Sequence, residues 1–94
     1  MKVRYTPRAL ADLETIFSYI DERNPGAAHD VKASIVRTCE NLAVLPYIGH
    51  MTDRRRDLLV VLVTDYPIYK IYYRVRGDVV SIEHIRDARR RPIA

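Results

Sequence analysis

The chain has 94 residues, 48% of them apolar and 30% charged, with a single cysteine and a formal net charge of +4. That is the composition of an ordinary globular chain, and the length predicts one domain. It excludes a disordered chain, a collagen-like repeat and a disulfide scaffold. One cysteine forms no intramolecular bridge and supplies no CxxC metal or redox pair, so Cys39 is expected to be a small buried hydrophobe. The longest apolar run, Leu58 to Val63, falls far short of the roughly 20 residues that a membrane span requires. Met1-Lys2-Val3 leads directly into strand-like sequence with no apolar leader, which predicts a cytoplasmic protein that does not engage the membrane.

Lys2 to Tyr5 reads as a short strand with Val3 and Tyr5 on one face. Thr6-Pro7 then opens a helix, threonine capping free amides and proline fitting the first helical position. Leu10, Leu13, Phe17 and Ile20 recur at spacings of three and four, with Ile16 beside them, and make the buried stripe. Asn24-Pro25-Gly26 ends that helix and starts a second by the same logic. Val31, Ile35, Cys39, Leu42 and Leu45 form its stripe; Pro46 stops it, and Gly49 is expected to permit a tight turn. So short a break predicts an antiparallel helical hairpin.

From Leu58 the period changes to that of strands. Leu58 to Thr64 forms one, broken by Asp65-Tyr66-Pro67. Ile68 to Val75 and Val79 to Arg86 flank Gly77-Asp78, a two-residue hairpin turn with glycine first. The register then pairs Arg76 with Val79, Val75 with Val80, Tyr73 with Ile82, and Ile71 with His84. This sends His84 into the core and leaves Lys70, Tyr72 and Arg74 opposite Ile85, Glu83 and Ser81 on the outer face. The expected fold is α+β, in the order β-α-α-β-β-β, with the helical hairpin on one face of a small antiparallel sheet.

Charge is unevenly placed along the chain. The residues up to Gly49 sum to zero, and the whole excess falls from His50 onward, with basic clusters at Arg54-Arg55-Arg56 and Arg89-Arg90-Arg91. A basic half on a neutral scaffold points to an acidic or polyanionic partner, and the dominance of arginine favours forked contacts to phosphate or carboxylate. Cations beside a phenol and a carboxylate at Lys70, Tyr72, Arg74, Glu83 and Arg86 have the makings of metal-free RNA cleavage, with Tyr72 or Glu83 moving a proton. The same residues also make a solvated sheet face with ordinary cross-strand pairs. The three histidines lack metal-ligand spacing, and there is no Gly-rich phosphate loop or serine elbow, so no metal or other cofactor is expected.

Three stretches together resemble the ParE/RelE superfamily of toxins from toxin–antitoxin pairs. VRYTPRALADLETIFSYIDERNPGAA is similar to the family's first strand, first helix and interhelical turn. ENLAVLPYIGH carries its P-x-x-G corner at Pro46 and Gly49, and YPIYKIYYRVRGDVVSIEHIRDARR its strand pair and closing Arg-Arg. The resemblance implies a growth-inhibiting toxin neutralised by a cognate antitoxin, with operator DNA reached only through that antitoxin. ParE-type members poison DNA gyrase and RelE-type members cut mRNA in the ribosome. The latter use sheet arginines, for which Arg74 and Arg86 stand here, together with a terminal tyrosine or histidine that does not follow Arg91. ParE-like members often place histidine before the closing arginines, where this chain has Asp87. The missing terminal residue makes the gyrase reading the preferred one, resting on overall similarity because Asp87 departs from the ParE-like pattern, with Arg54, Arg55, Arg56, Arg74, Arg86, Arg89, Arg90 and Arg91 as target-binding candidates. RelE-type cleavage and a non-toxic, antitoxin-binding relative are the alternatives. Leu13, Phe17, Arg89 and Arg90 are the expected antitoxin contacts.

Overall fold

A computed structural model describes residues 1–52 and 57–88. Its elements are β1 (Lys2–Tyr5), α1 (Pro7–Asp21), α2 (Pro25–Asn41), β2 (His50–Met51), β3 (Leu59–Val63), β4 (Tyr66–Arg76) and β5 (Val79–Asp87). The strands form one sheet in the order β1-β5-β4-β3-β2. The α+β architecture is as expected, with two differences. A short β2 precedes the expected strands, and the sheet is mixed rather than antiparallel because β1 runs parallel to β5.

Both helices begin as their sequences predict. Thr6 Oγ1 accepts from the Ala9 amide at 3.0 Å and Asn24 Oδ1 from the Ala27 amide at 3.1 Å, each followed by proline in the first turn. The apolar stripes are partly shifted. Ala9, Leu13, Val31, Ile35, Cys39 and Leu42 are buried, whereas Leu10 and Leu45 are exposed. Leu10 lies to one side of the face that Ala9 and Leu13 present, and Leu45 lies beyond the end of α2. On α2 the buried face includes two hydroxyls. Ser34 Oγ donates to the Thr64 carbonyl, and Thr38 Oγ1 accepts from the Thr64 amide at 3.1 Å, which satisfies the end of β3 without another strand.

Asp65, at φ 70°, turns the chain between β3 and β4. The strand resumes at Tyr66, so Tyr66 and Pro67 belong to β4 instead of breaking the chain. The ladder passes from Val63↔Tyr66 to Leu62↔Lys70, leaving Pro67, Ile68 and Tyr69 outside it, where the missing amide proton of Pro67 costs no bond to β3. The β4–β5 turn has Gly77 at φ 60°, and the pairings Arg76↔Val79, Val75↔Val80 and Tyr73↔Ile82 are those predicted.

Beyond that point the prediction fails. The register shifts so that Tyr72 faces His84 and Ile71 faces Ile85, with Glu83 the extra residue of a β-bulge. One inserted residue reverses the alternation. Ile85 joins Ile82 and Ile71 in the core, and His84 is kept out of it. Ile85 therefore does not lie opposite Lys70; Arg86 does.

Gly49 serves close approach rather than a tight turn. A Cβ there would stand 2.6 Å from Tyr73 Oη and 2.8 Å from the Val60 carbonyl oxygen. The space is used by a hydrogen bond from the Gly49 amide to Tyr73 Oη at 2.9 Å, which ties the corner after α2 to the middle of the sheet.

Candidate functional site

Strand alternation gathers Lys70, Tyr72 and Arg74 of β4 with Ser81, Glu83 and Arg86 of β5 on the sheet face away from the core cluster. The expected set is thus brought together, but not as an open site. Arg74 spans two carboxylates: its Nε donates to Asp57 Oδ2 at 2.9 Å and its Nη1 lies 3.1 Å from Glu83 Oε1. Ser81 Oγ donates to the second Glu83 oxygen at 2.7 Å, and Arg76 Nη2 approaches Asp57 at 3.5 Å. The Arg74 hydrogen bond holds the Asp57 carboxyl below the usual carboxylate range. A guanidinium whose fork is already filled by carboxylates is a structural tie, not a ready phosphate ligand.

Tyr72 is only 4% exposed, and its ring meets His84 edge-on with centroids 6.4 Å apart. A phenol so enclosed is badly placed to exchange a proton with an external substrate. His84 was expected in the core; the bulge instead sets it beside Tyr72, part-buried, with Nδ1 enclosed and unbonded among the described residues. Burial lowers its pKa, and Arg8 and then Arg86 push the same way against Asp12 and Glu83. Lys70 and Arg86 face each other across the ladder, a like-charge pairing that an ordinary solvated face disfavours.

A second feature lies between α1 and the far end of the sheet. There a groove of about 560 Å³ opens between Arg8, Asp12 and Tyr19 of α1 and Tyr69, Ile85 and Arg86 of β4 and β5. Sequence reading did not single it out. No sequence signal marks it, because it depends on β1 pairing with only the first four residues of β5, which leaves the rest of β5 without a strand on that edge.

The expected antitoxin contacts are placed differently from one another. Leu13 belongs to the core and offers almost no surface. Phe17 sits at the helix–helix surface, edge-on to His29 at 5.4 Å and with Lys32 Nζ 5.3 Å from its ring centre. Arg54, Arg55, Arg56, Arg89, Arg90 and Arg91 lie outside the described residues. Burial pushes the Cys39 thiol up to about 11, which leaves it unreactive near neutral pH. Among the described residues no cluster of three or more His, Cys, Asp and Glu side chains is arranged to hold a metal ion, and no helix is long and apolar enough to cross a membrane.

The model of the ParE toxin of type II toxin–antitoxin systems, parDE, matches residues 3–92. The chain belongs to the ParE toxin family. It is 38% identical over 90 residues to Toxin RelE2 of Caulobacter vibrioides, an alignment covering 95% of this chain and 97% of that protein. A chain of the chromosomal ParDE system from P. aeruginosa superposes with a TM-score of 0.79 over 93% of this chain and 95% of its own length. At 20% identity, that likeness speaks for the ParE fold alone. The resemblance to ParE/RelE toxins is thereby borne out, and this ParE-type toxin of a type II system has, by its family, a cognate antitoxin as partner.

Proposed function

We propose that this ParE toxin arrests growth by inhibiting DNA gyrase in the cytoplasm, and that direct binding of its antitoxin relieves the inhibition. The observation that carries the choice of target is the occupation of Arg74 by Asp57 and Glu83, together with the enclosure of Tyr72. Metal-free RNA cleavage needs cations and a proton donor presented to the substrate, and these two side chains are engaged elsewhere. Target contact then falls to the remaining arginine candidates: Arg86 and the runs Arg54–Arg56 and Arg89–Arg91. Arg74 leaves that set.

The name of the RelE2 relative favours a second reading, ribosome-dependent mRNA cleavage, for which Lys70 and Arg86, cross-strand neighbours, are the candidate cations. The deciding experiment is a supercoiling and cleavage assay with purified gyrase and folded, antitoxin-free toxin. Lost supercoiling or accumulated gyrase-linked breaks support the gyrase reading. Unaffected gyrase, with mRNA cut in a reconstituted translation system, replaces it by the second. Inactivity in both assays and no growth arrest on expression identify a non-toxic, antitoxin-binding relative.

A further inference from the structure

Over the described residues cations and carboxylates nearly balance, but the fold separates them into two layers. From Pro7 to Asn41 the helices and the turn between them hold six carboxylates and four cations. The outer face of the sheet has the reverse balance. Val3 and Tyr5 of β1 pack against the core, so alternation turns Lys2 and Arg4 to the outer face. Both belong by sequence to the neutral half of the chain, and only the docking of β1 on β5 brings them there.

The register sets these cations in rows across β1, β5 and β4. Lys2 lines up with Val79 and Arg76, and Arg4 with Ser81 and Arg74. Further along come Tyr72 with His84, and then Lys70 with Arg86. Six cations thus share this face with Glu83, with Asp57 just before β3, and with Asp78 in the β4–β5 turn. Arg74 is held by Asp57 and Glu83, whereas Lys2, Arg4 and Arg76 are exposed. Lys2 and Arg76 stand two strands apart, roughly 10 Å, and Lys70 lies roughly 20 Å from Arg76 along β4.

What the face lacks narrows the partner. None of the large exposed hydrophobic side chains lies in these rows, so a protein segment finds no apolar anchor. Single-stranded nucleic acid needs aromatic platforms for its bases, and Tyr72 is enclosed against His84. A duplex needs only cations along its phosphates. We infer that the outer face of β1, β5 and β4 binds the phosphate backbone of duplex DNA without reading its sequence, through Lys2, Arg4 and Arg76 with Lys70 beyond them. The choice of DNA over RNA rests on the gyrase reading, since gyrase works on a DNA duplex; the preference for a duplex backbone does not.

The test titrates folded, antitoxin-free toxin into a short fluorescently labelled DNA duplex of arbitrary sequence and reads anisotropy at several salt concentrations. The expected affinity falls linearly with salt on logarithmic axes. Lys2→Gln combined with Arg4→Gln weakens binding about tenfold at low salt and reduces that slope by roughly 2, and Arg76→Gln reduces it by roughly 1. Circular dichroism and the melting temperature stay unchanged. Lys32→Gln combined with Arg37→Gln removes the same charge from α2 and leaves affinity and slope as they were. Equal losses in the two double variants overturn the inference, as do tighter binding to single-stranded DNA or to an RNA duplex, and the absence of salt-dependent binding. A toxin that binds the duplex but leaves gyrase unaffected supports the inference and counts against the gyrase reading. One that inhibits gyrase but binds no duplex overturns the inference alone, so the two failures are distinguishable.

Discussion

Asp12, on the first helix, accepts a backbone hydrogen bond from Ile85 on the last strand at 3.0 Å. The relationship substitutes a helix side chain for a missing strand. β1 covers β5 only from Val79 to Ile82, and beyond it the edge of β5 is met by α1 and its cap: Thr6 Oγ1 donates to the Glu83 carbonyl at 3.2 Å, and the Asp12 carboxylate takes the Ile85 amide. An edge satisfied in this way is closed to strand addition at those two positions. It also fixes the bulge, because the two bonds engage the extra residue Glu83 and the core residue Ile85 on either side of His84.

Replacing Asp12 by alanine leaves the Ile85 amide part-buried and unpaired, and is expected to cost about 1–3 kcal/mol. Asp12→Asn, which keeps an acceptor oxygen, costs less. Urea unfolding of the two variants checks the order; equal losses would mean that the carboxylate's charge, not its acceptor, matters there.

Gly49→Ala drives a methyl group into Tyr73 Oη and the Val60 carbonyl, and overpacking of this kind costs about 1–3 kcal/mol. Tyr73→Phe removes the acceptor of the Gly49 amide and is expected to cost roughly 1–2 kcal/mol. Because part of the alanine clash is with the tyrosine oxygen, the double variant is less destabilised than the sum of the two. A double-mutant cycle on unfolding free energies measures that coupling.

Arg74 bridges Asp57 and Glu83 with different nitrogens of one guanidinium, a geometry that the single ammonium of lysine does not reproduce. Arg74→Lys is expected to lose about 1–3 kcal/mol through the part-buried Glu83 contact. Raising salt weakens mainly the exposed Asp57 arm. Denaturant titrations at two ionic strengths separate the arms. If Arg74 instead contacts the target, Arg74→Lys reduces toxicity at an unchanged melting temperature.

His84 gives a pH dependence whose sign follows from its environment. Its folded pKa lies below the unfolded value of 6.5, chiefly through burial, so the unfolded chain binds a proton more readily. The contribution of His84 to stability is complete above pH 6.5 and falls as the pH drops from there towards its folded pKa. His84→Gln is expected to flatten this part of the stability profile, read as unfolding midpoints between pH 7.5 and about 5. An unchanged slope would assign it to other groups.

Charge reversal at Arg89 and Arg90 to glutamate is expected to weaken growth arrest without altering the melting temperature, if the closing arginines contact the target. Titrated induction, read as the growth rate at matched toxin levels, checks it; undiminished arrest would remove these two residues from the target surface.

Features set by neighbours along the chain were legible from residues alone. Thr6-Pro7 and Asn24-Pro25 act through amides a few residues away, Gly77 through its own φ, and Cys39 and Ile35 through helical spacing, so the helical hairpin and the near half of the β4–β5 register could be read directly. The site residues Lys70, Tyr72, Arg74 and Glu83 were likewise found together on one face by alternation. What alternation does not contain is an inserted residue. The bulge at Glu83 depends on Thr6 and Asp12, more than seventy residues away in sequence, and it exchanges His84 for Ile85 in the core. The parallel docking of β1, the need for Gly49, and the filling of Arg74 by Asp57 and Glu83 are contacts of the same kind. Each is a pairing between segments distant in the chain, decided by which groups remain unsatisfied once the helices lie on the sheet, and no local period records that.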